Sequence, residues 1–163
     1  MSQKEIFENH ASNLGKLIGN LLTIEMAARL AIVSLDEHVA SQVSTQLPQV
    51  KKGEYVECNA FTNSDDLRQT LGKYNKRAPL DCKIDIDPIV DLRDVLAHGR
   101  MFGSGSIGHL RLLKFNRKQK AGKVSVDLAV IMTPAWFSEN IELLTKAIEK
   151  ITTSLAYEIK VLE

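Results

Sequence analysis

The sequence lacks several features that mark common classes of protein. Only two of the 163 residues are cysteines, Cys58 and Cys82, and they do not have the spacing of a metal site. There is no apolar run of transmembrane length, and the first residues do not form a signal-peptide pattern. We therefore expect a cytoplasmic protein with a single domain over residues 1–163, reduced cysteines and no membrane partner.

Two common catalytic signatures are also missing. The chain contains neither a glycine-rich phosphate loop of the Walker type nor a Ser–His–Asp signature. Aromatic residues make up only 6% of the sequence, and Tyr55, Phe61 and Tyr74 are too scattered to indicate recognition of nucleic-acid bases.

The periodicity of apolar residues predicts about four helices and one β-hairpin. The helices are expected over about residues 4–43, 63–74 and 87–98, and from Thr133-Pro134 onward. Glu25 and Arg29, one turn apart in the first helix, are expected to form a structural ion pair. Alternating residues predict the hairpin at about residues 109–132, before the last helix. The fold class is therefore mainly α, a four-helix bundle with an inserted hairpin.

The most informative run is Asp91-Leu92-Arg93-Asp94-Val95-Leu96-Ala97-His98-Gly99-Arg100, at the predicted end of the third helix. Arginine binds phosphate through a planar set of donors, and histidine exchanges a proton near neutral pH. Arg93 and His98 together have the minimum chemistry for breaking an RNA phosphodiester without a metal. Asp94 lies one turn before His98, where its carboxylate could orient the imidazole ring and raise its pKa. Gly99 is expected to end the helix in the left-handed conformation.

The spacing of Arg93 and His98 poses a geometric problem. Five residues of regular helix turn through about 140° around the axis, so the two side chains do not share a face. Two arrangements could bring them together. The helix could loosen at Gly99, or the site could form between two copies of the helix across a twofold axis.

The basic residues of the chain are unevenly distributed. No acidic residue lies between Asp94 and Asp127, whereas seven of the 21 basic residues do. We expect six of them to follow a nucleic-acid backbone: Arg100, Arg111, Lys114, Arg117, Lys118 and Lys120. The alternative is a hairpin whose lysines keep the protein soluble and protect exposed strand edges.

A carboxylate–histidine metal site is a rival interpretation of the third helix. Asp87, Asp91, Asp94 and His98 follow one another at steps of four, three and four, so all four could lie on one helix face. The same pattern is expected of a solvated acidic face. No second group of Asp, Glu or His residues clearly completes a metal shell, so no metal or other cofactor is expected.

In its Arg93-Asp94-Val95-Leu96-Ala97-His98 segment the chain resembles the HEPN superfamily, small and mostly four-helix domains that carry an arginine, four to six residues and a histidine. The resemblance implies a homodimer and, as in many members, a metal-independent endoribonuclease of toxin–antitoxin, defence or RNA-processing type. Arg93 would then stabilise the transition state and His98 would act as general base or acid, beside Asp94.

The same resemblance leaves the activity and the partners open. Some HEPN members lack activity and bind RNA or protein, so a non-catalytic interaction or scaffolding module is the alternative, with a metal-binding helical bundle as the second one. RNA and a cognate antitoxin or regulatory protein are the expected partners. Some toxins of this family carry a tyrosine two residues after the histidine, which an antitoxin modifies; Arg100 takes that position here.

Overall fold

A computed structural model describes residues 3–37, 49–103 and 108–161 and shows a mainly helical protein with a small antiparallel sheet. Within those ranges the helices are α1 (Gln3–Glu37), α2 (Leu67–Arg77), α3 (Ile86–His98) and α4 (Pro134–Val161). The strands are β1 (Arg100–Gly103), β2 (Leu110–Lys120) and β3 (Lys123–Ile131). The predicted mainly α fold with a hairpin before the last helix is confirmed. Residues 38–43, expected to continue the first helix, lie outside the described ranges.

The chain divides into two compact units. Met1–Leu21 and Asp87–Leu144 form the first, which we call the hairpin unit. Leu22–Ile86 and Thr145–Glu163 form the second, which we call the Arg29 unit. The candidate residues Arg93 and His98 and the three strands all belong to the hairpin unit.

Local side-chain caps explain where two of the helices begin. The Asp66 side chain accepts the backbone N–H of Gln69, whose side chain accepts the N–H of Asp66 in return, so α2 begins at Leu67 rather than near Asn63. In α4 the Thr133 hydroxyl oxygen accepts the backbone N–H of Trp136 at 3.1 Å. The start predicted at Thr133-Pro134 is therefore confirmed.

The end of α3 differs from the prediction at Gly99. This glycine is not among the residues with a positive φ, and its N–H donates to the carbonyl of Val95 at 2.8 Å. A Cβ at this position would collide with that Val95 oxygen and would lie 2.6 Å from Leu112 Cδ1. The expected left-handed cap is therefore wrong. Glycine is required here because the backbone passes close to β2 as the chain enters β1.

The sheet has the strand order β1-β2-β3, with both neighbouring pairs antiparallel. The β2–β3 hairpin agrees with the predicted one, but the short strand β1 was not predicted. Ala121 and Gly122, with φ values of 51° and 72°, form the hairpin turn, where positive φ at both positions matches the right-handed twist of the strands. Register shifts follow Lys114 and Phe115 in β2, so the outer part of the hairpin is irregular.

Each unit has its own apolar core. The largest fully buried apolar side chains of the hairpin unit are those of Leu17, Ile89, Leu112, Met132, Phe137 and Leu144. In the Arg29 unit, Tyr74 is completely buried, and its hydroxyl lies 3.0 Å from the Cys82 carbonyl and 3.2 Å from the Ser154 hydroxyl. Burial raises the pKa of the Cys82 thiol, and Cys58 and Cys82 are both free.

Helix α1 meets the length and composition required of a membrane span over Lys4–Leu35, where mean hydropathy reaches 1.5. Sequence analysis found no apolar run of this length, because charged residues such as Glu25 and Arg29 interrupt the apolar residues of α1. A core helix of a folded domain satisfies the same criterion, and 56% of that apolar window is buried within the protein. Hydropathy alone therefore does not distinguish the two.

Candidate functional site

Arg93 and Asp94 lie side by side near the C-terminal end of α3. The Arg93 side chain is 49% exposed and donates from Nη1 to Asp94 Oδ1 at 3.0 Å. A guanidinium has five N–H donors, and the bond to Asp94 uses one of them. Leu92 and Val95 on the buried side of the helix hold this part of the backbone in place. The exposed Arg93 side chain can therefore donate to a phosphate ligand without any change in the backbone of α3.

His98 is the last residue of α3, and its side chain is exposed. In the described part of the chain no hydrogen bond or ion pair joins it to Asp94, whose carboxylate binds Arg93 instead. The exposed ring is free to exchange a proton with solvent or with a ligand.

The backbone geometry of α3 determines the relative directions of the Arg93 and His98 side chains. Because the helix is regular up to His98 and Gly99 still donates to Val95, the chain does not loosen at Gly99. In such a helix the two side chains point about 140° apart. Within one copy of α3, the two side chains therefore do not lie on the same face of the helix.

The acidic residues of α3 do not form a metal site. Among the residues that the structure describes, no group of three or more His, Cys, Asp or Glu side chains could hold a metal ion. Asp87, Asp91, Asp94 and His98 share a helix face in the sequence pattern but do not converge.

The basic residues of the sheet differ in accessibility. Arg100, Arg111, Arg117, Lys118 and Lys120 are exposed, whereas Lys114 is half-buried. Lys114 pairs with Leu128 and lies on the same face as the buried Leu112, the opposite face from Arg111. Five of the six residues predicted to bind nucleic acid are therefore accessible, and Lys114 is the least accessible of them.

Sequence analysis overlooked a surface that we call the open sheet face. It is built from the strand residues that alternate away from Leu112, namely Arg100, Phe102, Arg111, Leu113, Phe115, Val126, Ala129 and Ile131. Phe102, Val126 and Ile131 are 47%, 51% and 44% exposed. The guanidinium carbon of Arg100 lies 5.4 Å from the centre of the Phe115 ring, a cation–π contact. Only the strand register, which the sequence does not reveal, brings these residues together.

Two histidines in the hairpin unit also come together. Nε2 of the buried His10 accepts the backbone N–H of Leu110 at 2.9 Å, and the ring centres of His10 and His109 are 6.0 Å apart. Burial lowers the pKa of His10, and His109 lowers it further. A cavity of about 60 Å³ lies beside both rings, lined also by Phe137. Their sequence spacing gave no signal, and the third non-motif histidine, His38, lies outside the described residues.

Comparison of the chain with protein-family models, with curated proteins and with solved structures finds no match in any of the three.

Proposed function

We propose that this protein binds RNA and cleaves it without a metal ion, using Arg93 and His98. One observation carries the proposal: both side chains are exposed at the end of α3, and the strand that opens the basic sheet begins two residues after His98. A phosphate-binding cation, a proton-transfer group and a basic surface therefore lie in one compact unit. The HEPN resemblance of the same residues supports this combination and implies a cytoplasmic role in toxin–antitoxin, defence or RNA-processing systems.

The proposed reaction is attack of a ribose 2′-hydroxyl on the adjacent phosphorus. His98 accepts the hydroxyl proton as the new P–O bond forms. The bond to the 5′ oxygen breaks, and this oxygen takes up a proton from water, leaving a 2′,3′-cyclic phosphate and a 5′-hydroxyl. Arg93 binds the phosphoryl oxygens and stabilises the negative charge that builds on them. When no substrate is bound, Asp94 holds the Arg93 guanidinium in place through the 3.0 Å hydrogen bond between them.

The regular geometry of α3 supports a homodimer as the active form. Since Arg93 and His98 of one copy point about 140° apart, a twofold axis near the end of α3 would pair Arg93 of one copy with His98 of the other. Such an arrangement creates two equivalent sites. It also makes cleavage depend on protein concentration below the dissociation constant of the dimer.

The test is cleavage of a mixed RNA pool by the purified protein in excess chelator. We expect wild-type protein to cleave, and Arg93→Ala and His98→Ala variants to lose at least about a hundredfold in rate. Asp91→Asn, an exposed change on the same helix outside the Arg–His pair, is the matched control and should cleave normally. Equal cleavage by wild type and by both alanine variants would refute the proposal.

A second candidate is a non-catalytic module that binds a partner protein such as an antitoxin or regulator. It is favoured by Leu22 and Met26, one turn apart on α1, whose side chains are 64% and 51% exposed. A stable complex that survives loss of both Arg93 and His98, but not Leu22→Ser with Met26→Ser, would support this function. An RNase would instead lose activity with the Arg93 and His98 changes alone.

A further inference from the structure

The open sheet face combines apolar, aromatic and cationic side chains on a solvent-exposed surface. Phe102 pairs with Arg111 across β1 and β2, and Arg100 lies beside Phe115 at 5.4 Å. Soluble domains normally bury the apolar face of a sheet, as this protein does with Leu112 on the opposite side. Phe102 is left at the surface, and the half-buried Phe115 lies beside the exposed Arg100, so this face suits a ligand that uses both aromatic and cationic side chains.

Charge restricts the chemistry of that ligand. The three strands carry seven basic residues and one acidic residue, Asp127. Asp127 Oδ1 accepts hydrogen bonds from Asn116 and Ser125, at 3.2 and 3.3 Å, so this carboxylate is already engaged at the irregular part of the hairpin. Arg100 and Arg111 are both exposed on the open sheet face. The surface is therefore suited to a polyanion.

The planar side chains of this face, phenylalanine and arginine, restrict the chemistry of the ligand further. Phenylalanine rings and guanidinium planes stack on nucleobases, and each stacked base contributes binding free energy whatever its identity. A base in a duplex is already stacked on its neighbours and cannot lie flat on Phe102 or Phe115. An acidic peptide would satisfy the arginines but would offer no planes for the two rings.

We propose that the open sheet face binds single-stranded RNA, with bases stacked on Phe102 and Phe115 and phosphates bound by Arg100 and Arg111. This deepens the proposed function and rests on it, because it names unpaired RNA as the substrate class that is led to Arg93 and His98. The stacking surface is sequence-tolerant, so the protein prefers single strands over duplexes without strong base specificity.

The test measures binding separately from cleavage. A roughly 12-nucleotide RNA of mixed sequence, fully 2′-O-methylated so that no 2′-hydroxyl can attack, is labelled and titrated with the full-length protein in a fluorescence anisotropy experiment. The same strand is also titrated after annealing to its complement. We expect the single strand to bind at least about tenfold more tightly than the duplex.

Variants place the binding on the open sheet face. Phe102→Ala should weaken single-strand binding at least about fivefold, whereas Phe102→Tyr should bind like wild type because the ring is retained. Met101→Ala is the matched control: Met101 is the neighbouring residue of β1, is also 47% exposed, and lies on the opposite face. It should change the affinity less than about twofold. Phe102→Leu separates stacking from apolar contact and should behave like alanine.

Each remaining outcome separates this inference from the proposed nuclease. Tight single-strand binding by a protein that cleaves no RNA would support the open sheet face and contradict the catalytic role of Arg93 and His98. If Phe102→Ala and Phe115→Ala both cleave RNA normally and bind single strands as tightly as wild type, the catalytic role of Arg93 and His98 is supported and the RNA-binding role of the open sheet face is contradicted. If Phe102→Ala lowers self-association in sedimentation experiments and leaves RNA binding unchanged, the face is an interface between copies and the inference is wrong.

Discussion

Arg29 and Arg93 both lie on helices beside an acidic side chain, but their surroundings differ. The Arg29 side chain is only 10% exposed and donates to Glu25, Asn63 and three backbone carbonyls, those of Ala60, Asn63 and Asp65. Arg93 is 49% exposed and donates to Asp94. The donors of Arg29 are consumed in attaching residues 60–65 to α1. Those of Arg93 remain available for a phosphate, so the first arginine stabilises the fold and the second suits a ligand.

Among the changes that test this comparison, replacing Arg29 should have the largest effect on the free energy of unfolding. We expect Arg29→Met to lower the free energy of unfolding by about 3 kcal/mol, because it leaves three part-buried carbonyls and Glu25 without the arginine that binds them. Arg93→Met is the matched control and should change it by less than about 0.5 kcal/mol. Equilibrium unfolding in urea measures both. Similar values for the two variants would remove the distinction between the arginines.

The junction between α3 and β1 should be the next most sensitive position. Gly99→Ala would force a Cβ against the Val95 carbonyl and Leu112, so we expect about 2 kcal/mol of destabilisation and a matching loss of RNA cleavage. Gly15→Ala, on the exposed surface of α1 where a Cβ meets nothing within 4 Å, should instead stabilise by about 0.5 kcal/mol or more. Thermal unfolding followed by circular dichroism distinguishes these opposite signs. A neutral Gly99→Ala would show that the strand does not need this close approach.

The stability of the hairpin unit should depend on pH through His10. The pKa of His10 is lowered from its ordinary value of 6.5, so the unfolded chain binds the proton more readily than the folded one. The stabilisation is complete above pH 6.5 and is lost as the pH falls through the lowered pKa, because a protonated Nε2 can no longer accept the N–H of Leu110. The free energy of unfolding should therefore decrease as the pH is lowered from about 7.5 to about 5.

His10→Gln is the control for this pH dependence. The amide oxygen can still accept a hydrogen bond but does not titrate in this range. The variant should show a flatter stability profile just below pH 6.5. A profile as steep as that of the wild type would assign the effect to other groups.

The smallest expected effect concerns a single lysine in the outer part of β2. Lys118→Ala should weaken RNA binding for all sequences alike and reduce the slope of log affinity against log salt by roughly 0.7. Lys16→Ala, also exposed in the hairpin unit but on α1, should leave the slope unchanged. Equal effects of the two changes would mean that general charge attracts RNA, rather than the basic sheet.

The difference between local and distant contacts explains how much of this protein could be predicted from its sequence. The helix predicted over about residues 87–98, the Thr-Pro start of the last helix, the Glu25–Arg29 ion pair and the β2–β3 hairpin are local patterns, and the structure contains all of them within a few residues. Strand β1 was missed because four residues beside a Gly-Ser segment carry no periodicity. The full set of Arg29 partners was missed because residues 60–65 lie more than 30 positions away.

The candidate site shows the same limit. Local sequence was sufficient to place Arg93 and His98 at the end of a helix and to list the basic residues. It could not reveal that Phe102 and Phe115 share a face with Arg100 and Arg111, because that depends on strand register and on the register shift that follows Lys114. The role of Gly99 likewise depends on a contact with Leu112, 13 positions along the chain.

The measurement that tests the central claim most directly is complementation between two inactive variants. Arg93→Ala and His98→Ala proteins are mixed, allowed to exchange subunits and assayed for RNA cleavage in excess chelator. If each site takes Arg93 from one copy and His98 from the other, each mixed dimer has one intact site, and random exchange restores about a quarter of wild-type activity. An active wild-type protein whose mixed variants remain as inactive as either one alone would contradict the shared site.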